Sequence, residues 1–106
     1  KKSTIDNDPE TVQNFVKAML KALKVVQEDH DLAMEVLKAE FPTSTEEDLK
    51  ASLDRAYKDN LWSSDGIITK EALAKTEDVV TKTGVYTKGL DYDTLIDMDF
   101  VNKALE

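Results

Sequence analysis

The stretch that decides the fold runs from Pro9 to Glu28 and reads PETVQNFVKAMLKALKVVQE. Its apolar residues recur every three or four positions, which places them along one face of an α-helix. Asp8 offers an N-cap acceptor, and Pro9 suits the first helical position because its missing N–H would be unpaired there. We therefore predict one long amphipathic helix over residues 9–28. Its expected buried stripe comprises Val12, Phe15, Val16, Met19, Leu20, Leu23 and Val26.

Two shorter helices are predicted downstream from their start and stop signals. The first spans about Leu32 to Glu40, and Phe41 ends it because the residue before a proline is driven out of the α region. The next begins at a capping box formed by Ser44 and Glu47 and ends near Asp59. The expected apolar stripes comprise Ala33, Val36 and Leu37 in the first of these helices, and Leu49, Leu53, Ala56 and Tyr57 in the next.

The C-terminal part of the chain predicts two more helices. Thr69 caps one of them, and Gly84 closes it as a left-handed residue. Asp99 is expected to cap a last short helix, and residues 85–91 between these helices are expected to be extended. No run shows sustained period-two alternation, although Ile67-Ile68 and Val85-Tyr86 could each pair briefly as strands. The first of these helices presents a weak face of Leu73, Thr76 and Val80, and the last presents Phe100, Val101, Ala104 and Leu105.

These elements predict an all-α arrangement of about five helices joined by short loops, in a single helical domain over residues 1–106.

The 22 acidic against 14 basic residues give a net charge of -8, which argues against a nucleic-acid partner because a polyanion would be repelled. The chain contains no cysteine, which excludes disulfides and zinc sites with sulfur ligands. No apolar run approaches the roughly 18 residues that a membrane-spanning helix needs.

Residues 59–71, DNLWSSDGIITKE, have the outline of an EF-hand calcium loop. With Gly66 at the sixth loop position, Leu61 and Ala72 fall at positions one and twelve, where carboxylates are required. Glu71 is one residue early, which on a helix turns its carboxylate by about 100°. We therefore expect a tight turn at Gly66 and no metal site.

The sequence offers no constellation for catalysis. His30 is the only histidine, and we expect it to be an exposed residue in the turn between two helices. The acidic groups Glu46-Glu47-Asp48 and Glu77-Asp78 fall on first turns or polar faces, where they act as dipole partners and solvated surface. None of the three glycines belongs to a phosphate-binding loop. We therefore predict no catalytic residue, no cofactor and no enzymatic activity.

Five phrases of the chain carry a family resemblance, and they occur in that family's order. They are residues 7–18 (NDPETVQNFVKA), 28–37 (EDHDLAMEVL), 64–73 (SDGIITKEAL), 82–85 (KTGV) and 100–105 (FVNKAL). Together they resemble the closing segment of the substrate-binding proteins of ABC importers, in the branch that handles sulfonates, taurine, nitrate and thiamine precursors. The resemblance extends over nearly the whole chain.

The resemblance implies a function for a longer parent protein. Family members have two α/β lobes on a hinge, which enclose a small-molecule ligand and deliver it to an ABC permease. This chain would then be a helical fragment of such a periplasmic-binding-protein-like fold, and only the full-length parent would bind ligand. The implied parent is extracellular, periplasmic or a membrane-anchored lipoprotein. The matching phrases are scaffold phrases, so they assign no ligand-contact residue.

An autonomous helical protein-interaction module is the alternative, in which a groove of this chain would hold a partner helix or peptide. Under the importer hypothesis, the helices of this segment would normally cover the sheet of a lobe. We therefore expect the stripe from Val12 to Val26 to be partly uncovered here, which leaves self-association of the segment open.

Overall fold

The computed structural model of the chain describes all residues from 1 to 106, and 70% of them are helical. It contains seven helices and no strand, so the predicted all-α fold class is confirmed, and the brief pairing left open at Ile67-Ile68 and Val85-Tyr86 does not occur. The five helices of seven or more residues correspond to the five predicted ones. The helices are α1 (Lys2–Asn7), α2 (Pro9–Glu28), α3 (His30–Glu40), α4 (Glu46–Lys58), α5 (Lys70–Lys82), α6 (Tyr92–Leu95) and α7 (Asp99–Leu105).

The bounds of α2 agree with the prediction because local interactions fix both of its ends. The Asp8 carboxylate accepts the Thr11 N–H at 3.1 Å, and this hydrogen bond lowers the pKa of Asp8. At the other end, Asp29 terminates α2 and also caps α3 by accepting the Leu32 N–H at 2.9 Å. Because one residue serves both helices, α3 begins at His30 and not at Leu32 as predicted.

The start of α4 lies one residue later than predicted. Thr45 is the N-cap, since its hydroxyl oxygen accepts the Asp48 N–H at 3.2 Å and donates to the Asp48 carboxylate at 2.6 Å. Thr45 has the extended backbone of a cap residue, whereas the Ser44 N–H closes a turn onto the Phe41 carbonyl. The predicted capping box of Ser44 and Glu47 is therefore wrong, because the helix begins one residue later and Thr45 caps it.

The end of α4 is a Schellman motif that the sequence did not predict. Asn60 has a φ of +47°, and its N–H donates to the Tyr57 carbonyl at 3.2 Å. The Leu61 N–H donates to the Ala56 carbonyl at 2.9 Å. This pattern satisfies the last carbonyls of the helix, and asparagine is among the residues that best tolerate the left-handed conformation.

Both predicted ends of α5 are confirmed. Thr69 accepts the Ala72 N–H at 3.1 Å, and Gly84 adopts a φ of +71° just after the helix. The start of α7 is different from the prediction, because Asp99 is its first residue and is not its cap. The Asp99 N–H instead donates to the Asp97 carboxylate at 3.1 Å. Residues 85–91 form an irregular loop, and the short helix α6 follows it.

Backbone contacts divide the chain into two compact units, Lys1–Gly66 and Ile67–Glu106. In the first unit, α2 packs against α1 and α3, and α3 packs against α4. In the second unit, the Tyr92 hydroxyl donates to the Ile68 carbonyl at 2.5 Å, and Lys70 pairs with Asp93 at 3.5 Å. These contacts tie α6 to the start of α5.

The core of the first unit is small and differs from the predicted stripe. Ala33, Leu49 and Leu53 are the only buried apolar side chains, and no side chain is fully buried. Phe15 and Met19 were predicted to be buried, but they are 65% and 49% exposed. α2 has 20 residues and α3 has 11, so α3 spans only about half of the roughly 30 Å of α2 and does not reach the turn that carries Phe15. The half-buried members of the predicted stripe are Val12, Val16, Leu20, Leu23 and Val26.

The chain exposes more surface than compact bodies of its size. Its solvent-accessible area is 8476 Å². Two separate compact proteins of the sizes of the two units would expose only about 7100 Å² together. The difference of about 1400 Å² is surface that two such compact proteins would bury. None of the helices has the length and the apolar character that crossing a bilayer requires.

Leu53→Ala should destabilise the chain by about 2 to 4 kcal/mol, because Leu53 is 7% exposed and its loss leaves a cavity in a small core. Lys17→Ala is the control and should change the free energy of unfolding by less than about 0.5 kcal/mol. Urea melts followed by circular dichroism measure both values. Similar small effects from the two variants would show that the core is assigned to the wrong helix face.

Candidate functional site

An apolar groove lies between α2 and α3 in the unit of residues 1–66, and we name it the α2–α3 groove. Its volume is about 420 Å³, within the size range of ligand and peptide sites. Leu53 of α4 and Trp62 of the loop after α4 also contribute to its walls. The complete lining is Lys21, Ala22, Val25, Val26, Leu32, Ala33, Val36, Leu37, Leu53 and Trp62.

The groove remains open because some of its apolar side chains face away from the core. Consecutive helical residues are rotated by about 100°, so Val26 is turned toward the core while Val25 lies on the outer wall. Val25, Leu32 and Val36 are 42%, 41% and 54% exposed. Val36, a member of the predicted apolar stripe of α3, is therefore largely exposed. Exposed apolar side chains gathered around one concave surface are typical of partner and ligand contacts.

The two edges of the groove carry opposite charges. On α2, Lys17, Lys21 and Lys24 recur at helical spacing along one side. On α3, Asp31 and Glu35 directly precede the groove residues Leu32 and Val36 and lie beside them on the helix surface. Lys24 is paired with Glu28 at 3.9 Å, whereas the other four charged residues form no ion pair. We name these two sets the lysine edge and the acidic edge.

A row of three aromatic rings lies next to the groove. The His30 ring stacks on the Tyr57 ring with centroids 3.7 Å apart and an interplanar angle of 13°. Trp62 meets Tyr57 in an edge-to-face arrangement, with centroids 5.6 Å apart and an interplanar angle of 66°. The Tyr57 hydroxyl donates a hydrogen bond to the Val26 carbonyl. Burial raises the pKa of Tyr57, and the negative charge of Asp29 raises it further.

A second, more polar hollow of about 410 Å³ shares Trp62 with the groove. Beside it, the Gln27 side-chain amide donates to the Ser63 carbonyl at 2.9 Å, which holds the loop after α4 against the end of α2. Trp62 therefore lines two concave surfaces and is a natural fluorescent reporter for either. The hollow is lined by Gln27, Ala56, Tyr57, Asn60, Leu61, Trp62 and Ser64.

The loop that resembles a calcium site forms the tight turn that the sequence predicts. The Gly66 N–H donates to the Ser63 hydroxyl oxygen at 2.9 Å, and that hydroxyl lies 3.4 Å from the Asp65 carboxylate. Gly66 has a φ of +74°, which explains the glycine at this position. The chain contains no group of three potential metal-ligating side chains.

His30 and the acidic pairs are placed as follows. His30 is exposed as predicted, but it lies in the first turn of α3 and not in an interhelical turn. Its stacking on Tyr57 was not predicted, because the two residues are 27 positions apart in sequence. Glu46 pairs with Lys38 at 2.8 Å, and Asp78 pairs with Lys82 at 2.6 Å. These carboxylates are exposed surface groups, in agreement with the prediction.

The α2–α3 groove and the aromatic row were not predicted from the sequence. One signal for the groove was present, since Val25 lies immediately outside the predicted stripe and Leu32 and Val36 are spaced by four residues. No comparable signal predicts the position of Trp62, which depends on how the loop after α4 returns to α2.

Comparisons of the chain with protein-family models, with curated proteins and with solved structures found no match.

Tyr57→Phe should lower the free energy of unfolding by about 0.5 to 1.5 kcal/mol at neutral pH, because it removes the hydrogen bond to the Val26 carbonyl. The folded protein holds the pKa of Tyr57 above its unfolded value of about 10, so this residue stabilises the fold below pH 10. That contribution is lost as the pH rises through the folded pKa.

Urea melts between pH 8 and pH 11 measure both effects, and the Tyr57→Phe variant should lose less stability over the alkaline range than the unmodified chain. Tyr86→Phe is the control, since Tyr86 is 40% exposed and its hydroxyl forms no hydrogen bond. If Tyr57→Phe and Tyr86→Phe give the same alkaline profile, the hydroxyl of Tyr57 has no role in the fold.

Proposed function

We propose that this chain is a helical scaffold segment of the solute-binding component of an ABC importer, which captures a small molecule and delivers it to a membrane permease. The proposal rests on the five phrases that follow the family's order. They also match the elements of the fold: residues 7–18 contain the capped start of α2, and residues 64–73 contain the turn and the capped start of α5.

The observation that carries the proposal is the uncovered apolar surface of α2 and α3. In a two-lobe α/β protein, each helix buries one stripe against a central sheet. A helical segment without that sheet would leave part of its stripe exposed. Phe15 and Met19 on α2 and Val36 on α3 have this exposure, and the chain as a whole exposes about 1400 Å² more than compact bodies of its size.

In this proposal the ligand is a sulfonate, taurine, nitrate or a thiamine precursor, and it lies in the cleft between the two lobes of the parent. The chain contributes a helical layer that supports a lobe, and the residues that contact the ligand belong to the rest of the parent. The permease contact and the extracellular, periplasmic or lipoprotein location are likewise properties of the parent protein.

The α2–α3 groove favours a second candidate function, which is an autonomous helical protein-interaction module. A groove of about 420 Å³ with an aromatic residue in its wall suits the apolar face of an amphipathic helix. The two candidates differ in the N-terminal half of α2. A sheet in the parent would cover Phe15, whereas a helix in the groove would contact residues between Lys21 and Val36.

Phe15→Ala distinguishes the two candidates when it is measured both in this chain and in the full-length parent. In the dilute 106-residue chain the change should cost less than about 1 kcal/mol, because Phe15 is 65% exposed. In the parent it should cost about 3 to 5 kcal/mol, as for a buried phenylalanine. Lys17→Ala is the control and should have a small effect in both. Equal effects of Phe15→Ala in the two proteins would contradict the scaffold proposal.

Ligand binding tests the importer function directly. The full-length parent should bind one of the four compound classes with a dissociation constant of micromolar or below in calorimetry. Trp62 fluorescence of the 106-residue chain should not change up to about 1 mM of the same compounds, which corresponds to roughly 4 kcal/mol of binding free energy. A saturable response from the chain alone would show that a complete site lies within it, and the scaffold proposal would then be rejected.

A further inference from the structure

We propose that two copies of this chain pair through the α2–α3 groove, with the lysine edge of each copy against the acidic edge of the other. The inference concerns the 106-residue chain itself. It does not rest on the importer proposal, since its test is the association state of the chain and not the binding of a solute.

The first step is the amount of apolar surface. Val25, Leu32 and Val36 expose between 41% and 54% of their area around one concave surface. A stable interface buries about 800 Å² on each partner. The chain exposes about 1400 Å² beyond what two compact bodies of the sizes of its units expose, and the open α2–α3 groove is part of its exposed surface.

The second step is the charge pattern, which selects the occupant. A partner in this groove must present acidic groups to the lysine edge and basic groups to Asp31 and Glu35. A second copy presents both, because the chain carries both edges on the two sides of one groove. Rotation about a two-fold axis parallel to the groove brings α2 of one copy over α3 of the other, and the same contact then occurs twice.

The charge pattern also decides between the two symmetric arrangements. A two-fold axis running across the groove would place α2 over α2, so that Lys17 and Lys21 would face the lysines of the second copy. Like charges at short distance are repulsive, whereas the parallel axis pairs opposite charges. The net charge of -8 on each copy opposes association over long distances, and salt near 0.15 M screens that repulsion beyond about 8 Å.

Sedimentation velocity from about 1 μM to about 1 mM chain tests the pairing, with Trp62 emission as a local readout because Trp62 lines the groove. We expect a monomer–dimer equilibrium in 0.15 M salt. Val36→Glu should raise the dimer dissociation constant about 100-fold or more, since each dimer contains two such substitutions and each central contact accounts for about tenfold. Val79→Glu is the matched control at a 59% exposed valine on α5, and it should leave the constant within about threefold.

Charge reversal tests the arrangement of the two copies. Lys21→Glu and Glu35→Lys should each weaken the homodimer about tenfold, because each places like charges together twice. An equimolar mixture of the two variants should associate as strongly as the unmodified chain. In the mixed dimer the two reversed charges face each other as an opposite pair, and the unchanged Lys21 of one copy faces the unchanged Glu35 of the other. A chain that is monomeric at about 1 mM, a dimer unaffected by Val36→Glu, or a mixture that does not recover association would each overturn the proposal.

Discussion

One residue, Asp29, separates α2 from α3, and its carboxylate and backbone must end one helix and begin the next. Its N–H donates to the Val25 carbonyl at 2.8 Å while its side chain caps α3 at the Leu32 N–H. With so short a connection, α3 packs against the C-terminal half of α2. The α2–α3 groove, the burial of Ala33 and the place of His30 beside Tyr57 all depend on this junction.

The aromatic row holds α4 and the following loop at the same junction. The Tyr57 hydroxyl reaches the Val26 carbonyl near the end of α2, and its ring stacks on His30 at the start of α3. Trp62 then packs against Tyr57 and forms part of the groove wall.

The small core and the open groove have one consequence for function. Apolar side chains on the helix pair remain exposed. Burying them would stabilise a contact with a sheet of a larger parent, with a partner helix or with a second copy of the chain. The opposite charges of the two groove edges are the feature that favours the second copy.

The sequence by itself determined the helices, because their ends depend on residues within four positions of each other. Asp8 with Pro9, Thr69 and Gly84 act on the nearest turn of the backbone, so their roles could be predicted. Local choices failed where neighbouring residues could serve equally, as with Ser44 and Thr45, and the short helices α1 and α6 were not predicted.

Only the tertiary structure decided which faces are covered. The apolar pattern of α2 predicts the same burial for Phe15 and Leu23, yet Phe15 is exposed and Leu23 is half-buried, because α3 is too short to extend along the whole of α2. The groove and the stack of His30 on Tyr57 join residues far apart in sequence. Hydrophobic periodicity records which side of a helix is apolar, and the length and position of the neighbouring elements decide how much of that side is buried.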